Sequence, residues 1–186
     1  MKQTTLFEVP IWTKKIENFS VMRNDLQRLF DKYPDTKNEP YQDQNQNFYT
    51  NRQNPNRGTM LDEFSNIISN EIRELVREMK SNKLNISDVK IKDVWSVTYQ
   101  KYDYQTMHNH GAKGLTGLLC LDSPIDGPSL NIVQPWNDWI EDRTNFLSAK
   151  LEEGGMVVFP SFLLHSSDPN KSDNQKRVIS WDIEII

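Results

Sequence analysis

Short apolar runs, broken by turn residues, dominate the second half of the chain and are typical of β-strands. The runs cover residues 86–100, 115–121, 129–133, 145–151, 156–159 and 178–186. Turn-forming stretches such as Asp126-Gly127-Pro128 and Gly154-Gly155 separate them. Roughly eight short strands with this punctuation, and no strand–helix–strand alternation, favour a mainly β sandwich or jelly roll over a parallel sheet.

The first third of the chain shows helical spacing instead. Ser20 is predicted to cap a first helix that Pro34 ends. Its apolar face is Val21, Met22, Leu26, Leu29, Phe30 and Tyr33. Thr59 with Asp62 resembles the capping box of a second helix. Its apolar positions are Leu61, Phe64, Ile67, Ile68, Ile72, Leu75, Val76 and Met79. The prediction is one domain, in which N-terminal helices (residues 1–85) pack on a jelly-roll core (residues 86–186).

Two further N-terminal segments lack helical spacing. Residues 6–12 form a short extended segment, and Pro10 within it argues for an edge position or a strand start. Residues 35–58 are rich in Asn, Gln, Asp and Pro, which predicts a long loop, either a lid or an irregular connection.

Composition and charge exclude several classes of function. The net charge of −4 is spread without a basic stripe, so the sequence gives no sign of nucleic-acid binding. No apolar run is long enough to span a membrane, and the N-terminus lacks an apolar signal core. The single cysteine, Cys120, excludes an internal disulfide and is predicted to be a buried, inert thiol. A cytoplasmic protein is the expectation.

The three histidines are the most informative residues in the sequence. His108 and His110 are two apart, and side chains at this spacing in a strand point to the same face. His165 lies in a later strand or strand end, which a jelly roll would bring opposite the pair. Neutral imidazoles suit iron, zinc, copper or nickel, and three of them leave open positions on the ion. Since a lone His-x-His pair can also be solvated, the metal interpretation depends on its surroundings.

Two other polar residues are candidates for the same site. Arg177 follows His165 by twelve residues and opens the last strand, where its planar guanidinium could bind a carboxylate in a bidentate manner. A surface ion pair is the alternative for this arginine. Tyr99 lies on the strand that leads to His108, where it could donate a hydrogen bond to the same ligand or simply pack.

The chain resembles the small bacterial and phage 2-oxoglutarate–Fe(II) oxygenases, which are double-stranded β-helix proteins. The matching segments are the His108-x-His110 pair, residues 115–121, Gly155 to His165, Arg177 to Ser180, and the opening residues 6–11. The resemblance implies that His108, His110 and His165 bind Fe(II). It also implies that Arg177, with Ser180 nearby, binds the distal carboxylate of 2-oxoglutarate.

The resemblance therefore implies a dioxygenase that uses Fe(II), 2-oxoglutarate and dioxygen to hydroxylate an unidentified substrate. Two-fold association through the N-terminal segment is compatible with the sequence. The broader superfamily usually has Asp or Glu at the second position of the pair, where this chain has His110. Either three histidines bind the metal, or a carboxylate such as Asp122 or Asp138 replaces one of them.

Two alternatives remain open from the sequence. A cupin-like metalloenzyme that does not use 2-oxoglutarate would suit three histidines, but residues 111–115 lack the Glu that usually follows such a pair. A jelly-roll binding or assembly module would need no metal at all.

Overall fold

The protein folds into two antiparallel β-sheets that face each other, with three helices packed on the outer side of the larger sheet. The computed structural model describes residues 9–38, 47–138 and 140–186. Within these residues, the large sheet has seven strands and the small sheet has four. This arrangement confirms the predicted jelly roll.

The strands of the large sheet are β1 (Trp12–Lys15), β2 (Thr36–Lys37), β3 (Tyr49–Thr50), β4 (Val89–Tyr99), β6 (Leu115–Asp122), β9 (Gly155–Pro160) and β11 (Lys176–Ile185). Those of the small sheet are β5 (Gln105–His108), β7 (Leu130–Asp138), β8 (Arg143–Ala149) and β10 (His165–Ser167). The strand order is β1-β9-β6-β11-β4-β3-β2 in the large sheet and β5-β10-β7-β8 in the small sheet. β6 is apolar and buried along almost its whole length, because both of its faces are covered. The six apolar runs seen in the sequence all correspond to strands.

The N-terminal third contributes strands as well as helices. β1 forms one edge of the large sheet by pairing with β9, which agrees with the edge position predicted from Pro10. β3 pairs with β4, and β2 forms the other edge. The predicted long loop 35–58 therefore includes two short strands, and its residues 39–46 lie outside the described residues, as do 6–8 of the opening segment.

The helices differ from the prediction in their boundaries. α1 spans Phe19–Asp31 and begins after Asn18, so Ser20 lies in its first turn and does not cap it. Val21 is 69% exposed, so its predicted place on the apolar face was wrong. The second predicted helix is two helices, α2 (Arg57–Ile67) and α3 (Ser69–Ser81), which meet at Ile68. No helix in the described ranges is long and apolar enough to cross a membrane.

Two separate hydrophobic cores lie on the two faces of the large sheet. Side chains of β4 and β11 alternate between them, as the two-residue period of a strand requires. Val94, Ile179 and Trp181 face the helices, whereas Val97 and Val178 face the small sheet. Cys120 belongs to the core between the sheets and is fully buried, as predicted.

Candidate metal centre

The three histidines converge at one end of the space between the sheets. His108 ends β5 and lies directly opposite His165, the first residue of β10. His110 lies beyond the end of β5, in the turn that leads to β6. The ring centroids are 4.2 Å apart for His108 and His165, 5.1 Å for His110 and His165, and 5.4 Å for His108 and His110.

One potential ligand atom from each histidine lies within 4.8 Å of the other two. The sequence predicted that His108 and His110 share one strand face. The structure brings the rings together differently, because one is at a strand end and the other is in a turn. Neither Asp122 nor Asp138 joins them: Asp122 pairs with Arg23, and Asp138 accepts the backbone N–H groups of Ile140 and Glu141.

Hydrogen bonds fix the tautomer of every ring. The Nδ1 atom of His108 lies 2.8 Å from the carbonyl oxygen of Thr106, and that of His165 lies 3.0 Å from the carbonyl oxygen of Leu163. The Nδ1 atom of His110 lies 2.7 Å from Oδ1 of Asp182. Each of these partners accepts, so each Nδ1 carries the hydrogen and each Nε2 has a free lone pair for a metal ion.

Burial keeps two of the rings neutral. It lowers the pKa of His108 to about 4, against the hydrogen bond to Thr106, which raises it. Burial also lowers the pKa of His165 to about 3, helped by the neighbouring His108 ring. Since a protonated imidazole cannot bind a metal, neutral rings with unprotonated Nε2 atoms fit a divalent first-row metal such as Fe(II).

Backbone contacts hold the turn that carries His110. The backbone N–H of His110 donates to the carbonyl of Ser161, and the backbone N–H of Ser161 donates to the carbonyl of Gly114. Ser161 is buried, and its hydroxyl lies 3.1 Å from that of Thr116. The segment Phe159-Pro160-Ser161, which precedes His165 in the chain, therefore also holds the turn that carries His110.

Arg177 does not lie in this cavity. It is on the opposite face of β11, where its Nε is 3.4 Å from Oγ1 of Thr98 and its Nη1 is 3.4 Å from Oε1 of Gln27 in α1. The alternation of β11 instead brings Lys176, Val178 and Ser180 to the cavity. The structure thus brings Ser180 to the site and leaves out Arg177, because a strand turns every second side chain away.

Lys176 is the buried cation of the cavity. It is 2% exposed, and its ammonium group donates one hydrogen bond to the carbonyl of Pro128. Burial lowers the pKa of this ammonium group, and a bound carboxylate would offset that cost by favouring the charged form. The sequence did not indicate Lys176, because the neighbouring Arg177 has a guanidinium that can bind a carboxylate in a bidentate manner and was therefore the predicted ligand.

Tyr99 and two serines complete the polar lining near Lys176. The Tyr99 hydroxyl donates to Oε1 of Gln105 at 2.8 Å, and burial raises the pKa of the phenol, so it stays protonated. Ser167 and Ser180 line the same cavity. A buried cation, several hydroxyl groups and three imidazoles thus line one cavity, and these groups are chemically suited to a small dicarboxylate such as 2-oxoglutarate.

Residues 93–182 match the family model described as "Putative 2OG-Fe(II) oxygenase". These residues include all three histidines, Lys176 and Ser180. This match assigns the region that carries the histidine cluster to the 2-oxoglutarate–Fe(II) oxygenase family, whose description implies Fe(II) and 2-oxoglutarate. A search among curated protein sequences finds no significant relative.

Solved structures of similar fold support the same architecture for the oxygenase. A prolyl-4-hydroxylase from Pseudomonas putida aligns with a TM-score of 0.63 and 12% identity over 94% of this chain and 92% of that one. The viral collagen prolyl hydroxylase of Paramecium Bursaria Chlorella virus-1 aligns with a TM-score of 0.58 and 18% identity over 92% and 94%. The α-ketoglutarate-dependent carbocyclase SnoK of nogalamycin biosynthesis aligns with a TM-score of 0.64 and 11% identity over 93% and 79%.

Proposed function

We propose that the oxygenase binds Fe(II) through the Nε2 atoms of His108, His110 and His165, and that Lys176 binds the distal carboxylate of 2-oxoglutarate. The product is a hydroxylated substrate whose identity is open. The observation that carries this proposal is that the Nδ1 atoms of all three clustered rings donate to other groups, which leaves their Nε2 atoms for a metal.

Fe(II) with 2-oxoglutarate and dioxygen supplies the oxidation chemistry when bound, and the protein supplies orientation and shelter. His108 and His165 each donate to a carbonyl group two residues earlier in the chain, which fixes the ring tautomer with Nε2 unprotonated. Phe159 packs edge-on to His165, with ring centroids 5.0 Å apart, and restricts water on that side.

Lys176 is proposed to orient the cosubstrate. The ammonium group has three hydrogens, and one is used by the Pro128 carbonyl, which leaves donors for a carboxylate. Ser180 can add a hydroxyl contact to the same carboxylate, and Tyr99 would do so only by exchanging its hydrogen bond to Gln105 for one to the cosubstrate. A buried cation in this position selects a dianionic cosubstrate of limited length over a monocarboxylate.

The test is an anaerobic titration of Fe(II) and 2-oxoglutarate into the metal-free protein, followed by the visible metal-to-ligand charge-transfer band. We expect the band at one equivalent in the wild type and its loss in His165→Ala. Lys176→Met should raise the apparent Kd for 2-oxoglutarate about ten- to hundredfold, because a hydrogen bond to a charged group contributes about 1.5–3 kcal/mol.

Arg177→Met is the matched control, since it removes the neighbouring cation from the other face of the same strand. It should leave the band and the Kd for 2-oxoglutarate unchanged. The opposite result, with Arg177→Met losing the cosubstrate and Lys176→Met retaining it, would exclude the role proposed for Lys176. Binding of Fe(II) without the band would favour a cupin-like enzyme that does not use 2-oxoglutarate.

A further inference from the structure

His110 is held differently from the other two histidines. His108 and His165 each donate to the backbone carbonyl two residues earlier in their own segment. His110 donates to a side chain, Oδ1 of Asp182, which is 72 residues away in β11. The contact is 2.7 Å long, and the His110 side chain is only 5% exposed, whereas that of Asp182 is 25% exposed.

The backbone around both residues is shaped to allow this contact. The register between β11 and β4 shifts directly after Asp182, which pairs with Asp93 while Ile183 pairs with Ile91, so the ladder is irregular beside the contact. Across from it, Gly114 has a φ of +85°, and a Cβ there would lie 2.3 Å from the carbonyl oxygen of Ile183. Only glycine lets the His110 turn approach β11 this closely.

We propose that Asp182 is a positioning residue for the metal ligand His110 and that it supplies, through the imidazole, the negative charge that a directly bound carboxylate would otherwise bring. This inference rests on the proposed function, since it assumes that His110 binds the metal. A carboxylate on Nδ1 fixes the tautomer with Nε2 free, and it makes the ring a stronger donor to a cation.

The arrangement also accounts for a site with three neutral ligands. Three imidazoles leave the full charge of a divalent ion uncompensated, and one carboxylate hydrogen-bonded to a ligand lowers it without occupying a coordination position. In the proposed site, His110 would occupy the coordination position that a carboxylate has in a two-histidine, one-carboxylate site. Asp182 would then supply the negative charge of that carboxylate from behind the ring.

The first experiment reads the His110 ring in the metal-free protein. Long-range ¹H–¹⁵N correlation spectra of labelled protein at neutral pH report which ring nitrogen carries the hydrogen, with His110→Ala giving the assignment. We expect the Nδ1–H form alone in the wild type and in Asp182→Asn, whose amide oxygen still accepts. Asp182→Ala should produce a mixture of tautomers.

The second experiment measures binding of Co²⁺ by its visible absorption. Second-shell carboxylates typically contribute 10- to 100-fold to metal affinity, so we expect Asp182→Ala to weaken Co²⁺ binding by about that factor. Asp182→Asn should lose less, because it keeps the hydrogen bond and loses only the charge. Glu184→Gln is the control: Glu184 is the next acidic residue of β11, and it pairs with Lys92.

The outcomes separate the two proposals. If Asp182→Ala keeps both the wild-type tautomer and the wild-type Co²⁺ affinity while His165→Ala loses Co²⁺, the role of Asp182 is refuted and the metal site stands. If His165→Ala binds Co²⁺ as the wild type does, the metal site itself is refuted. If Asp182→Ala does not fold, Asp182→Asn with a wild-type Co²⁺ affinity would refute the contribution of the charge.

Discussion

At the scale of single residues, close contacts explain positions that the sequence pattern leaves unexplained. Gly117 lies in β6 directly opposite Trp181 of β11. A Cβ at this glycine would lie 2.1 Å from Cε2 of the indole ring. Trp181 is fully buried and packs against Phe64 of α2, with ring centroids 5.4 Å apart. The lack of a side chain at Gly117 therefore leaves room for the indole ring, through which the large sheet packs against the helices.

Gly117→Ala should destabilise the protein by about 1–3 kcal/mol, because the indole ring must shift within a close-packed core. Equilibrium urea unfolding measures the change. Gly58→Ala is the matched control. A Cβ on Gly58, in the first turn of α2, meets nothing within 4 Å, so this variant should be neutral or more stable by about 0.4–1 kcal/mol. Equal effects at the two sites would contradict the packing argument.

The residues of the site were predictable to different degrees. The chain has only three histidines, and their spacing together with the segments around them indicated the metal centre. The choice between Lys176 and Arg177 depends on which of two adjacent side chains faces the cavity, and a shift of one residue reverses it. Asp182 could have been found from the same alternation, since it follows Lys176, Val178 and Ser180 at steps of two. Its partner His110, however, lies in a turn whose path the sequence does not reveal.

At the scale of elements, α1 shows how an amphipathic pattern can misplace a single face residue. Phe19, Leu26, Leu29 and Phe30 are buried, whereas Val21 points to solvent. The prediction placed Val21 on the apolar face of a helix capped by Ser20. The helix instead starts at Phe19 after a left-handed Asn18, and Phe19 is its first buried residue.

This face can be tested with two substitutions on one helix. Leu26→Ala should cost about 2–5 kcal/mol, because Leu26 is fully buried and the cavity would not refill. Val21→Ala should stay within about 0.5 kcal/mol of the wild type. Urea unfolding of both variants measures the difference, and similar costs would show that α1 packs through another face.

Element length decided which strands were predictable. The long runs of β4, β6 and β11 repeat often enough to be recognised. β2, β3, β5 and β10 have two to four residues each, and pairing with neighbours defines them more than their own composition does. The break at Ile68 was missed for a similar reason, since apolar spacing continues through it and only the backbone changes direction.

At the scale of the whole molecule, the buried imidazoles link stability to pH. The pKa of His108 is about 4 and that of His165 about 3 in the folded protein, against about 6.5 in an unfolded chain. Below pH 6.5 the unfolded chain binds protons that the folded protein does not. The free energy of unfolding therefore rises with pH between about 4 and 6.5 for these groups, and it falls as the solution is acidified.

The metal-free protein should accordingly lose stability between pH 7 and pH 4.5, measured by urea unfolding at each pH. Carboxylates also titrate in this range, so the informative quantity is the comparison with His108→Gln/His165→Gln, whose side chains bind no proton. The double variant should show a shallower decline than the wild type. Parallel pH curves would mean that the two histidines do not contribute.

The position of β11 has a consequence for how the chain folds. It is the central strand of the large sheet and the last described strand in the sequence, and it pairs with β4 on one side and β6 on the other. During synthesis the facing edges of β4 and β6 therefore stay unpaired until β11, which follows them in the chain, leaves the ribosome. Such long-range pairing slows folding and exposes the nascent chain to aggregation. Because Lys176, Ser180 and Asp182 arrive on this same strand, the cavity between the sheets can be completed only when the whole fold closes.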